Sequence, residues 1–122
     1  MRLLLDTHTL LWWQQDDRRL GTQARRAIAS ADFVFVSAAV LWEIVIKAQL
    51  GKLQASLDAV FDLSADGFRE LPIRGIHARV AGELPPHHKD PFDRMIAAQA
   101  QVEELTLVTS DDVFRKYGVS TL

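Results

Sequence analysis

The chain reads as an α/β fold, a mostly parallel central sheet of about five strands flanked by helices, and three observations predict it. Leu3–Leu5 and Phe33–Val36 are short, wholly apolar runs, of the kind buried on both faces of a parallel sheet. Between the strand-like runs lie segments that open on cap residues and carry helical patterns. Acidic residues follow the first apolar run and the later run Leu105–Thr109, at the carboxyl edge where sites form in open α/β sheets.

Composition narrows the classes. Hydrophobic residues make up 48% of the 122 residues and charged residues 25%, which suits an ordinary globular protein, read here as one domain over 1–122. The absence of cysteine removes disulfides, thiolate zinc sites and a cysteine nucleophile. No apolar run approaches the roughly 18 residues of a membrane span. Met1-Arg2-Leu3-Leu4-Leu5-Asp6 meets an acid too early for a signal peptide, so a cytoplasmic setting is expected. The net charge of −2 gives no global basic field for nucleic acid. Any such contact needs local Arg and Lys, or a metal.

Taken in order, the first strand stops at Asp6, placing Asp6-Thr7-His8-Thr9 at its carboxyl edge. Thr7 and Thr9 are the expected caps of the segment through Trp13, and Asp6 alone reads as a turn or cap residue. Trp12 and Trp13 are adjacent, so at most one points squarely into the core; the other is a candidate partner contact. Thr22, after Gly21, is expected to cap a helix from about Gln23 to Ala29. Phe33–Val36 is the second strand. Ser37 then caps a helix to Leu50, closed by Gly51.

Within that helix Glu43 stands alone in Val40-Leu41-Trp42-Glu43-Ile44-Val45-Ile46. A helix apolar nearly all round is buried, and a buried carboxylate is paired, protonated or bound to a cation. Lys47, four residues on, is the ordinary partner.

Ser56 is expected to cap a helix to about Ala65, ended by Asp66-Gly67. Phe68–Ile73 is a weak third strand, sent to an edge by Pro72. A helix from about Gly75 to Glu83 is broken by Pro85-Pro86. His87 and His88 read as a solvated loop rather than a zinc pair, with His88, Lys89 and Arg94 as candidates for touching phosphate. Asp90 then caps a helix that Pro91 opens, with Asp93 in its first turn and an apolar run through Val102. The two carboxylates lie on nearly one face, and the simplest reading is a cap and a complement to the helix dipole. Leu105–Thr109 is a further strand. Ser110-Asp111-Asp112 caps a short helix, Val113 to Tyr117, and Val119–Leu122 is expected to add a last edge strand.

Right-handed crossovers put the strand ends on one edge. Asp6, Asp111 and Asp112 leave strands there, and Glu43, Asp90 and Asp93 sit on helices that can face it. Two unit charges about 4 Å apart repel by about 4 kcal/mol at an effective dielectric near 20. A cluster of four acids therefore calls for a hard divalent cation with oxygen ligands, Mg²⁺ or Mn²⁺. Such an ion activates water and stabilises the leaving oxygen of a phosphodiester.

The start Leu-Leu-Leu-Asp-Thr, the segment Val36 to Ile44, the run His87 to Ala100 containing Asp90-Pro91-Phe92-Asp93-Arg94, and Leu107-Val108-Thr109-Ser110-Asp111 together resemble the PIN-domain family, and within it the VapC toxins of bacterial type II toxin–antitoxin pairs. The likeness covers nearly the whole chain, in order. It implies a three-layer PIN-like fold and a metal-dependent endoribonuclease (a hydrolase) held in check by a VapB-type antitoxin protein, commonly as a homodimer. It carries the catalytic roles to Asp6, Glu43, Asp93 and Asp111, and places the metal with Asp6, Asp90, Asp93 and Asp111. Asp90 belongs to the extended Asp-Pro-Phe-Asp form of the motif; Asp112 has no counterpart and reads as a cap or surface residue. Ser37 and Thr7 are expected to steady the carboxylates by hydrogen bonds.

Two other readings stay open on sequence alone. One is a non-catalytic partner-binding domain whose acids only cap helices and pair with a partner's arginines. An apolar helix near Trp12, Trp13 and Trp42 would offer it a groove. The other is a phosphotransfer enzyme with Asp6 as nucleophile, similar to haloacid-dehalogenase-like phosphatases; it wants an Asp two residues on, where the chain has His8.

Overall fold

The computed structural model of the chain describes residues 1–122. Four strands, β1 (Arg2–Leu5), β2 (Phe33–Ser37), β3 (Arg69–Leu71) and β4 (Thr106–Val108), form one wholly parallel sheet in the order β3-β2-β1-β4. β1 lies inside it, with Leu4 level with Phe35 on one side and Leu107 on the other. Burial on both faces is why its sequence is an unbroken apolar triplet: Leu3, Leu4 and Leu5 have no exposed surface. The expected fifth strand is reduced to a single parallel bridge between Leu107 and Thr121. After the left-handed turn at Gly118, φ +73°, the Leu107 N–H donates to the Ser120 carbonyl and the Leu122 N–H to the Leu107 carbonyl.

The helices are α1 (Thr7–Gln14), α2 (Thr22–Ser30), α3 (Ala38–Gln49), α4 (Leu57–Phe61), α5 (Gly75–Glu83) and α6 (Pro91–Glu103), with 3₁₀ turns at Leu63–Asp66 and Asp112–Tyr117. A continuous core of 24 buried residues joins the sheet to Leu10, Ile44, Ile96 and Phe114. α6 packs between α5 and α3. No helix is long and apolar enough to cross a membrane.

Several caps follow the sequence. Ser37 accepts from the Ala39 N–H, Ser56 from Ala59, and Asp90 from both Phe92 (2.8 Å) and Asp93 (3.3 Å) behind Pro91. Others differ. Asp6, not Thr7 or Thr9, caps α1: its Oδ1 accepts the Thr9 N–H at 2.9 Å, and Thr7 is already helical. Gly21 precedes α2 without a side-chain bond, so Thr22 is inside the helix. α4 stops at Phe61 because Asp62 leaves the helical region and takes a local bond from the Ser64 hydroxyl. The 3₁₀ turn then carries the chain to Gly67, whose φ of +75° favours glycine.

Arg94, a candidate for phosphate contact, is occupied otherwise. Its guanidinium donates to the carbonyls of Ala81, Gly82, Leu84, Pro85 and His88, closing the carboxyl end of α5 and the loop beyond it. The tryptophans also have separate partners rather than one groove. Trp13 packs on Phe68 and donates to Asp66, Trp12 lies between His8 and Arg19, and Trp42, 62% exposed, meets the edge of Phe92.

Candidate active site

At the carboxyl edge of β1 and β4 a cavity of about 230 Å³ is lined by Asp6, Glu43, Asp90, Asp93 and Asp111 together. The five acids come from distant parts of the chain: the end of β1, the middle of α3, the first turn of α6 and the loop after β4. Thr7, His8, Lys47, Ser110 and Phe114 complete the walls. Asp112 lies outside, exposed and paired with Arg115 at 3.6 Å, as its reading as a surface residue requires.

Each carboxylate is held differently. Asp6 is buried, with Oδ1 committed to the α1 cap. Glu43 is buried on α3. One of its oxygens accepts the Thr7 hydroxyl and the other the Lys47 ammonium at 2.6 Å. Glu43 is thus paired with Lys47 and also lines the acidic cavity. Glu43 holds the Lys47 ammonium above its usual pKa through that hydrogen bond, against the cost of burial, with Asp90 and Asp93 adding to the effect. Asp90 is exposed and spends Oδ1 on the α6 cap. Ser37, in contrast to the expectation, touches none of the acids; it is fully buried and caps α3.

Asp93 is the carboxylate most perturbed by its surroundings. Burial, then the charges of Asp90, Glu43 and Asp111, push its pKa from 3.8 up to about 6, while His88 works in the opposite direction. Asp111 is the reverse case. Burial pushes it up, but hydrogen bonds from His88 and from the Val113 N–H outweigh this and hold it below its usual value.

His88 is the residue the sequence reading misplaced. It is not a solvated loop residue: its side chain is largely buried, and Nε2 lies 3.0 Å from Asp111 Oδ2. One donor atom from each of His88, Asp93 and Asp111 falls within 4.8 Å of the others. The pairing links residues 23 positions apart, so no local spacing announced it. His87 beside it is exposed, as expected.

The donor set fits a hard divalent cation. Carboxylate oxygens dominate it, with Lys47 and His88 as the nearby basic groups. The upward push on Asp93 records first its burial and then the negative charge of the carboxylates around it.

Comparison with known proteins agrees with this architecture. The family model described as "PIN domain" matches residues 3–119. Ribonuclease VapC22 of Mycobacterium tuberculosis (strain ATCC 25618 / H37Rv) is 32% identical over 118 residues, covering 94% of this chain and 91% of the relative. Among solved structures, VapBC2 from Rickettsia felis bound to a DNA fragment of its promoter superposes with a TM-score of 0.77 at 18% identity, over 100% of this chain and 98% of that one. DNA-bound VapBC from Salmonella typhimurium gives a TM-score of 0.73 at 17% identity, over 100% and 97%. The parallel sheet, its flanking helices and the family match over nearly all its length place this chain in the PIN-domain family.

Proposed function

We propose that the protein is a metal-dependent endoribonuclease that hydrolyses RNA phosphodiester bonds, acting as the toxin of a toxin–antitoxin pair. The observation that carries this reading is the gathering of Asp6, Glu43, Asp93 and Asp111 around one cavity at the carboxyl edge of the sheet. The similarity to a protein named ribonuclease VapC22 supports the nuclease, and the similarity to VapBC complexes supports a VapB-type antitoxin as partner.

In this reading Asp6, Asp90, Asp93 and Asp111 hold Mg²⁺ or Mn²⁺, and Glu43 completes the acidic wall. The bound ion supplies Lewis-acid polarisation of the phosphate and a water of lowered pKa. The remaining work falls to the chain. Lys47 and Thr7 fix the Glu43 carboxylate in a buried setting that would otherwise reject its charge. Val113 N–H and His88 fix Asp111. Lys89, exposed beside Asp90, offers a cation to a neighbouring phosphate. With a net charge of −2, phosphate cannot be held by a general basic field, so the cation at the acids is also the anchor. A homodimer, a cytoplasmic site of action and one domain over 1–122 belong to the same reading.

The test is cleavage of a mixed RNA pool by antitoxin-free protein, with Mg²⁺, with EDTA, and with Asp93→Asn. Cutting that needs metal and is lost in the variant is the expected result. No cutting, together with no heat of Mn²⁺ binding in calorimetry, would refute the enzyme and leave a partner-binding domain.

A further inference from the structure

The loop before α6 buries one ring with unusual care. His87 and Lys89 are exposed, whereas the His88 side chain between them is only 9% exposed. Its ring centroid lies 4.5 Å from that of Phe114 and 5.6 Å from that of Tyr117, nearly parallel to the latter. Its backbone N–H donates to the Tyr117 hydroxyl at 2.7 Å, and its carbonyl accepts from Arg94 at 3.3 Å. These contacts come from two segments and leave the ring one orientation. Nδ1 is buried without a partner, so the single polar contact the ring makes is Nε2 to Asp111 Oδ2. A carboxylate offers only acceptors, so Nε2 carries the hydrogen.

Asp111 is thereby gripped at both oxygens, Oδ1 by the Val113 N–H at 2.9 Å and Oδ2 by His88. Without the second grip, a side chain that is 43% exposed and faces Asp93 would relieve the repulsion by turning to solvent. We infer that His88 is a positioning residue: its Nε2–H bond holds the Asp111 carboxylate in the acidic cavity and so sets the affinity of that cavity for a divalent cation. The inference rests on the metal site proposed above and adds a residue to it. His88 is not itself a ligand in this arrangement, because Nε2 is engaged by Asp111 and the cavity otherwise offers oxygen to a hard ion. Partners of this kind behind a ligand typically change metal affinity by about 10–100-fold when lost.

The experiment compares Mn²⁺ binding, by calorimetry and electron paramagnetic resonance, in the full chain and in His88→Gln and His88→Asn. Gln carries an N–H about as far as Nε2 does, and Asn falls short of Asp111. The two amides are otherwise alike, so melting temperature in EDTA should match between them. Expected is about 10-fold or greater weakening in the Asn variant, with most of the affinity restored in the Gln variant. Equal affinity in wild type and both variants overturns the positioning role while leaving the metal site intact. A signal from directly bonded nitrogen in the Mn²⁺ spectrum also overturns it, since His88 would then be a ligand. Absence of Mn²⁺ binding by the wild type overturns the underlying metal reading, and this inference with it.

Discussion

Asp93→Asn should stabilise the metal-free protein at neutral pH while destroying its proposed activity. The folded state raises the Asp93 pKa from 3.8 to about 6, so between those values it binds a proton that the unfolded chain has released. Stability therefore falls as pH rises from about 4 to 6 and stays reduced above that. A difference of this size corresponds to about 3 kcal/mol at full strength. The carboxylate is only half-buried, and solvent screening halves this to about 1–2 kcal/mol. Asn keeps the shape and carries no charge, so the variant should melt about 3–10 °C higher than wild type in EDTA at pH 7.5. At pH 4 the two should coincide. Saturating Mg²⁺ should raise the wild-type melting temperature more than the variant's, because the variant lacks one of the four carboxylates proposed to hold the ion. The assay is a thermal melt across pH with and without metal. A variant no more stable than wild type at pH 7.5, or equally stabilised at both pH values, would refute the argument that a half-buried charge at Asp93, set among other carboxylates, opposes folding.

Other outcomes are expected from the same geometry. Asp6→Asn retains an acceptor for the Thr9 N–H, so it should unfold within about 0.5 kcal/mol of wild type yet lose nearly all RNA cleavage in single-turnover assays. Arg94→Met removes the donor to five carbonyls around the end of α5; a loss of about 2–4 kcal/mol in urea unfolding is expected, given the strength of hydrogen bonds to charged groups. Hydrogen exchange should rise first over residues 81–88. Ser37→Ala deletes a buried cap and should cost about 1 kcal/mol, with Mn²⁺ affinity unchanged because Ser37 touches no acid.

The features legible in the sequence were those governed by near neighbours. Asp90 before Pro91, Ser37 before α3 and Ser56 before α4 all cap as their local chemistry dictates. Glu43 was legible for a related reason: a lone acid on an apolar helix must have a partner, and its partner is one turn away. What escaped was decided by tertiary contact. Asp6, Thr7 and Thr9 were all legible as caps, and the choice among them was tertiary: Asp6 stands at the strand end, while Thr9 turns its hydroxyl to the Val108 carbonyl. Arg94 and His88 look like surface cations beside a phosphate-binding motif. Only the return of α5 beneath one and of Phe114 and Tyr117 beneath the other removes them from solvent. The last strand is reduced to one bridge after the left-handed turn at Gly118, which hydropathy alone does not register.

The position of β1 in the sheet has a consequence for the birth of the molecule. Its two neighbours, β2 and β4, lie far apart along the chain, and the buried bond from Thr9 to the Val108 carbonyl spans 99 positions. Synthesis delivers the amino-terminal part first. While β4 remains on the ribosome, β1 has one open edge, and Asp6 waits beside a wall that Asp111 has not yet joined. The acidic cavity cannot close until β4 and the loop after it have been released, because long-range pairing must wait for its partner strand. That chain order is a safeguard in time: every nascent fragment that stops before β4 is a protein without its acidic cavity.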